Sequence, residues 1–279
     1  MSGSFSLSLF SPAKINTFFR VLKKRDDGFH DIASLMLALS FGDLIHVSLG
    51  KEDKLTYTGM QIPVDESNLV FRALEVFRSY TGWRQSIHFH LEKKIPVGSG
   101  LGGGSSNAAT ALWALRQLSC LPLSQKELQA LGTEIGSDVP FFFSQGAALC
   151  EGRGEKVKDL DFVFKPSLYL VVDDLHVSTP KVYAHCQPNA ISEEPPQSLL
   201  ASVIQGDFPM VNDLEAAAFA AYPQLCKRKQ ILQKYFAKVL MTGSGSGFFC
   251  LDKLSKPPAG LSCIKVKAIR RKKEHWYAP

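Results

Sequence analysis

Five glycines and three serines lie between Gly98 and Ser106, and a helix-forming run, Ala108 to Leu118, follows directly. Glycine permits positive φ and lets a ligand approach the main chain closely. A helix start carries unpaired N–H groups and partial positive charge. Together they form an anion cradle, and phosphate is the common occupant of such a cradle. The loop is not a Walker A loop: Gly98 and Gly103 have the spacing, but Gly104 stands where the lysine belongs. Gly98, Gly100 and Gly103 also fit Gly-x-Gly-x-x-Gly. The acid expected about 20 residues on, at a strand end, is missing, since Glu127 sits in a helix start. A tight turn before a helix accounts for one or two glycines, not for this density.

Phosphoryl transfer needs a phosphate cradle, cations that offset developing charge, and a group that accepts the proton of the acceptor hydroxyl. Lys14, in Ser-Pro-Ala-Lys-Ile-Asn, is the candidate cation, because a lysine is awkward among small and apolar residues. A strand lysine snorkelling to water is the competing reading. Asp138 is the candidate base: Gly136-Ser137-Asp138-Val139-Pro140 runs into Phe141-Phe142-Phe143, so the carboxylate is set against an apolar wall. Gly-Ser-Asp is equally a turn cap. His88 and His90 share a strand face, a spacing that can bind metal, but no third ligand adjoins them in sequence and a packed face is the simpler reading.

These candidates must be positioned by a soluble globular chain. Its 279 residues suffice for two modest domains, and its 45% hydrophobic and 21% charged content is ordinary. The net charge of +6 is concentrated in Lys23-Lys24-Arg25, Lys227-Arg228-Lys229 and Arg270-Arg271-Lys272-Lys273, read as solvated faces and a solvated tail. None of the six cysteines has Cys-x-x-Cys spacing, so they read as reduced core residues of a cytoplasmic protein. Met1 to Phe10 does not read as a secretory signal, and no apolar run is long enough for a membrane span.

Strands are expected at Ser4–Phe10, Lys14–Val21, Leu44–Leu49, Lys54–Tyr57, Ser86–Leu91, Leu168–Val172, Val239–Met241, Phe248–Leu251 and Cys263–Ala268. Helices are expected at Asn68–Tyr80, after the glycine loop, from the capping box Ser124-x-x-Glu127 to Ile135, at Asp213–Tyr222 and at Gln224–Phe236. Residues 187–197, with three prolines, read as a surface linker. Mingled strands and helices favour an α+β fold, with a domain boundary near residue 160.

Three separated motifs add a resemblance. Pro12-Ala13-Lys14-Ile15-Asn16 with Asp27-Gly28-Phe29-His30, then Pro96 to Thr110, then Met241 to Phe249 resemble, in order, the three motifs of the GHMP kinase superfamily, which includes galactokinase, homoserine kinase and mevalonate kinase. Gly136 to Phe142 and Gly152-Arg153-Gly154-Glu155 extend the match, which runs from about residue 8 to about residue 250. Within the superfamily, Lys-Ile-Asn, Gly-Phe-His and Asp-Val-Pro-Phe-Phe together are similar to the kinases of diphosphocytidyl methylerythritol.

The resemblance implies an N-terminal ribosomal-protein-like domain over 1–160 and a C-terminal ferredoxin-like domain over 161–279. It implies a cytoplasmic enzyme that moves the γ-phosphoryl of ATP to the 2-hydroxyl of the cytidine compound, in the non-mevalonate route to isoprenoids. Asp138 and Lys14 match the catalytic pair. Pro96, Val97, Gly98, Ser99, Gly100, Leu101, Gly102, Gly103, Gly104, Ser105 and Ser106 would wrap the ATP phosphates, with Asn68 and Lys93 near the nucleoside. His30 would bond the cytosine edge between Phe29 and Tyr183, and Asn16, Thr179, Pro180, Gly243, Ser244 and Gly245 are expected at the substrate. Phe29 stands where the family more often has tyrosine, which keeps the stack and drops a hydroxyl. Mg²⁺ is expected with ATP; Ser105 or Ser106 is its candidate contact, and no acidic ligand is assigned.

A homoserine- or mevalonate-type kinase is the near alternative. A nucleic-acid-binding module built on the basic tail is the distant one, and a nicotinamide-dependent oxidoreductase is weaker still. Neither nucleic acid nor membrane is expected as a partner, and no oligomeric state is assigned.

Overall fold

A computed structural model describes residues 5–172, 175–186, 194–256 and 262–278. The first half of the chain forms one mixed sheet. Its centre is two long antiparallel strands, β1 (Leu7–Lys24) and β2 (His30–Leu49), joined by a turn at Asp26–Gly28. The strands expected at Ser4–Phe10 and Lys14–Val21 are thus one strand. Pro12 does not end it, because the register shifts by a bulge between Pro12 and Lys14, and β1 pairs in this sheet with β2 alone. Edges and bulges are where a strand tolerates proline.

On its other edge β2 pairs with β4 (Ile87–Lys93) along one half and β5 (Ala147–Gly152) along the other; β3 (Lys54–Gly59) and β6 (Lys156–Asp159) complete the sheet. β3 runs parallel to β4, and helix α1 (Leu69–Thr81) makes the crossover. Asn68 caps α1 by accepting from Val70 N.

Helices α2 (Gly103–Ser119) and α3 (Gln125–Ile135) join α1 on one face of the sheet. The Ser124–Glu127 capping box is present in both directions. β2 is buried on both faces, so its residues alternate between two cores: Met36 and Ala38 face the helices, while Leu35, Leu37 and Leu39 face the other way. That second face meets a four-stranded antiparallel sheet ordered β10–β7–β9–β8, made of β7 (Leu168–Val171), β8 (Phe236–Met241), β9 (Phe248–Lys253) and β10 (Cys263–Val266). Helices α4 (Thr179–Ala184), α5 (Pro196–Gln205), α6 (Glu215–Ala221) and α7 (Pro223–Leu232) belong to this half. The expected linker overlaps α5 at its end, and its residues 187–193 lie outside the described residues.

The end of the chain corrects one expectation. Arg270, Lys272 and Lys273 are exposed, but Arg271 turns inward and is 5% exposed. Its guanidinium donates to the carbonyls of Ser144, Phe143 and His275 and to Gln125 Oε1. Trp113, Trp276 and Tyr277 surround it. Trp276 donates to Phe10 O and Tyr277 to Ser144 O, so the chain end is built into the first half's core. Burial pushes the Tyr277 hydroxyl up to about 12 and lowers the Arg271 guanidinium, as expected where charge is disfavoured.

Candidate active site

Both halves contribute to a cavity of about 860 Å³. Its floor is the glycine loop. Three backbone donors from three segments engage the loop's carbonyls: Val177 N reaches Gly98 O, Gly247 N reaches Ser99 O, and Lys14 N reaches Leu101 O. Ser99 Oγ closes the turn on Pro96 O. Gly102, with φ of 69°, is the N-cap of α2 and supplies no side-chain cap, and the first turn holds no acidic residue. The free N–H groups of that turn, on Gly103, Gly104 and Ser105, adjoin the cavity. A helix start of this geometry favours an anion.

Gly100 shows why the loop needs glycine. Its φ is 74°, and a Cβ there would lie 2.1 Å from Thr242 O, on the second glycine turn. Gly100→Ala is therefore expected to combine a left-handed strain of about 1–2 kcal/mol with displacement of that turn. Thermal unfolding should shift downward, and the KM for ATP should rise about ten-fold or more in steady-state assays.

Lys14 lies on β1 beneath the loop, 3% exposed. Its ammonium donates to Asn16 Oδ1 at 2.8 Å and stands 3.3 Å from Asp138 Oδ2. The Asn16 amide is itself fixed: its Nδ2 donates to Ser34 Oγ, its Oδ1 also accepts from Thr242 Oγ1, and its backbone N donates to Thr242 Oγ1. Asp138 sits in the turn after α3, partly open to the cavity, with Phe141, Phe142 and Phe143 fully buried behind it. The arrangement gives a partly open carboxylate held beside the start of α2 by a buried cation. That is the geometry for deprotonating a hydroxyl beside a transferring phosphoryl group.

At the other end of the cavity, His30 stacks on Tyr183 with ring centres 5.0 Å apart and 26° between planes. Phe29 is half exposed, and the Arg153 guanidinium lies 4.9 Å over its ring. Burial, with Lys24 nearby, holds the His30 imidazole below its ordinary range. Burial, with the Asp138 charge adding, pushes the Tyr183 hydroxyl up. Thr179 and Pro180 line the same wall, and Thr179 Oγ1 bonds Ser244 Oγ, tying α4 to the second glycine turn.

Most expected site residues converge here, and four do not line the cavity. Asn16 is fully buried behind Lys14, because its amide is consumed by Lys14, Ser34 and Thr242; it positions the ammonium. Leu101 turns into the apolar core between the sheets. Ser106 is buried and accepts from Ser11 Oγ, which leaves Ser105 as the cavity-lining hydroxyl of the two. Gly245 lies behind Gly243 and Ser244, its N donating to Thr242 O. Lys93 does line the cavity, but its ammonium donates to Asp43 Oδ2 and Ile95 O, both at 2.6 Å.

Several residues went unnoticed in the sequence. Asp43, fully buried, also accepts from Lys94 N, Ile95 N and Asn107 Nδ2, so one carboxylate fastens both sides of the glycine loop. An aspartate inside an apolar strand was the available signal. Asn212 fixes the second glycine turn by donating to Met241 O and Gly243 O. Arg153 entered only as part of the matching Gly152-Arg153-Gly154-Glu155, with no role assigned to it.

His88, His90 and His46 do cluster, under Phe5. Thr56 Oγ1 bonds His88 and His90, and Glu92 bonds His46. Among the described residues no group of three or more His, Cys, Asp or Glu side chains is arranged to hold a metal. Of the six cysteines, Cys150 and Cys250 are buried, Cys120 is exposed, and none is in a disulfide. Among the described residues no helix is long and apolar enough to cross a membrane.

The fold and the site define a GHMP kinase, and residues 68–146 match the GHMP kinases N terminal domain. A homoserine kinase from Cytophaga hutchinsonii shares the fold with a TM-score of 0.69, at 17% identity over 98% of each chain. Two relatives are nearer. The 4-diphosphocytidyl-2-C-methyl-D-erythritol kinase of Protochlamydia amoebophila is 42% identical over all of this chain and 95% of its own. A crystal structure of a 4-(cytidine 5'-diphospho)-2C-methyl-D-erythritol kinase has a TM-score of 0.74 and 34% identity, covering 88% of this chain and 90% of that one. The chain belongs to the 4-diphosphocytidyl-2-C-methyl-D-erythritol kinase family.

Proposed function

We propose that the chain transfers the γ-phosphoryl group of ATP to the 2-hydroxyl of diphosphocytidyl methylerythritol, in the non-mevalonate route to isoprenoid precursors. The observation that carries this reading is one cavity holding the Lys14–Asp138 pair, the open start of α2 and the Phe29–His30–Tyr183 cluster. Asp138 accepts the hydroxyl proton as the oxygen bonds the γ-phosphorus and the bond to ADP breaks. Lys14 holds the Asp138 carboxylate in place and offsets charge on the phosphoryl oxygens. The glycine loop binds the nucleotide phosphates, with Asn68 and Lys93 at the same wall.

The residues present fit Mg²⁺ brought in on the phosphates: such ions keep few protein ligands, and Ser105 is a hydroxyl lining the cavity at the start of α2. When bound, the ion neutralises charge on the phosphates. We divide the chain into two domains near residue 160, in the connection between β6 and β7, with Arg271, Trp276 and Tyr277 returning to the core of the first. We place the enzyme in the cytoplasm, a reading its unpaired cysteines fit.

Aromatic stacking of a base is worth about 1–3 kcal/mol. Tyr183→Ala is accordingly expected to raise the KM for diphosphocytidyl methylerythritol about five- to hundred-fold while moving the KM for ATP by less than about three-fold. The direct test of the substrate is ADP release in a coupled assay. The cytidine compound should stimulate it strongly, and homoserine and mevalonate should not; the reverse order would reassign the chain within the superfamily.

A further inference from the structure

We propose that Arg153 is the residue that grips the diphosphate of the substrate. This rests on the reading of the substrate as a diphosphocytidyl alcohol. Such a molecule has a flat base at one end, a reacting hydroxyl at the other, and two anionic phosphates between. With the base at Phe29, His30 and Tyr183 and the hydroxyl at Asp138, the phosphates must cross the wall between these groups.

Arg153 occupies that wall. Its guanidinium lies over Phe29, and the adjacent residue, Gly154, packs against Asp138: a Cβ on Gly154 would be 3.6 Å from Asp138 Oδ1 and 3.3 Å from Ser137 O. Its backbone is anchored, Arg153 N donating to Glu155 Oε2 at 2.6 Å.

The charge pattern separates Arg153 from the other buried or half-buried cations of the cavity. Lys14 is committed to Asp138 and Asn16, and Lys93 to Asp43 and Ile95 O. The Arg153 guanidinium has no hydrogen bond or ion pair among the described residues, yet it lines the cavity. Lys24, exposed at the same end of the cavity, likewise has no side-chain ion pair or hydrogen bond among the described residues. Asp138 is the only carboxylate among the described lining residues, and Lys14 already faces it. Asp27, within electrostatic reach of Arg153, is held by Arg25, so the aromatic end keeps free positive charge. A guanidinium that lies over a ring and makes no hydrogen bond has N–H groups left for a phosphate, which it matches with two parallel hydrogen bonds.

The test is calorimetric binding of CDP, cytidine and ATP to the intact enzyme and to Arg153→Gln and Arg153→Lys. Wild type should bind CDP more tightly than cytidine. R153Q should weaken CDP about ten- to hundred-fold, leave cytidine and ATP within about three-fold, and R153K should recover part of the loss. Three results would overturn the assignment: equal loss for cytidine and CDP, which makes Arg153 a support of the Phe29 ring; loss for ATP instead, which moves it to the nucleotide phosphates; or no change. If wild type binds neither CDP nor cytidine, the cytidine reading itself fails and the assignment with it.

Discussion

Replacing Asp138 by asparagine should lower kcat about a thousand-fold, or about 4 kcal/mol of barrier, while leaving the protein folded. Among the described lining residues Asp138 is the only carboxylate, it faces the cavity beside Lys14, and asparagine keeps its shape without its basicity. The substitution removes an ion pair with Lys14 that is partly open on the aspartate side, so denaturant unfolding should change by no more than about 1 kcal/mol. Lys14 keeps its bond to Asn16, so the ammonium stays in position. A kcat within ten-fold of wild type, measured with saturating ATP and diphosphocytidyl methylerythritol, would contradict the assignment of the base.

Arg271→Ala should cost the fold more than any change in the catalytic pair. It strips the donors from the carbonyls of Ser144, Phe143 and His275 and from Gln125 Oε1, in a site closed by Trp113, Trp276 and Tyr277. Each buried acceptor left without a partner costs about 1–3 kcal/mol. A loss of about 2–4 kcal/mol is therefore expected in urea denaturation, since Tyr277 still supplies Ser144 O and Gln125 Nε2 still supplies Phe143 O, which leaves His275 O and Gln125 Oε1 without their donor. Removal of residues 270–279 takes away the same guanidinium together with Trp276 and Tyr277 and should yield protein that does not fold stably. A truncated chain with wild-type stability would contradict this account and return the basic run to the surface. The same geometry weakens the nucleic-acid alternative, because its proposed binding tail spends Arg271 on the core.

What the sequence made legible followed from local physics. The start of α1 at Asn68 and the reciprocal cap of α3 are decided by side chains within four residues of the bonds they make. The glycine loop announced itself because positive φ and close approach leave glycine few substitutes. Lys14 and Asp138 stayed ambiguous on spacing because their partnership exists across the fold, between a strand and a distant turn. The resemblance joined them, and the distance of 3.3 Å supplies the physical link.

What stayed hidden depends on contacts that no local window contains. Asp43 is one polar residue in an apolar strand, and its meaning comes from Lys93, Lys94, Ile95 and Asn107. Arg271 looks like one more solvated cation among neighbours that are indeed exposed. Asn16 was expected at the substrate because the resemblance puts a substrate contact there; its burial follows from Thr242 and Ser34, which approach from other segments. Two strands, Ser4–Phe10 and Lys14–Val21, were expected where one runs past Pro12, and the bulge and edge position that accommodate the proline are set by pairing with β2.

The central claim is transfer to a carbon-bound hydroxyl at Asp138, and phosphorus NMR of the reaction mixture tests it most directly. With ATP, Mg²⁺ and diphosphocytidyl methylerythritol, the enzyme should produce ADP and, in equal amount, a new monophosphate ester resonance coupled to the methylerythritol carbons, with the substrate's diphosphate signals retained. Formation of inorganic phosphate in place of that ester, or an ester only when another alcohol is supplied, would contradict the account.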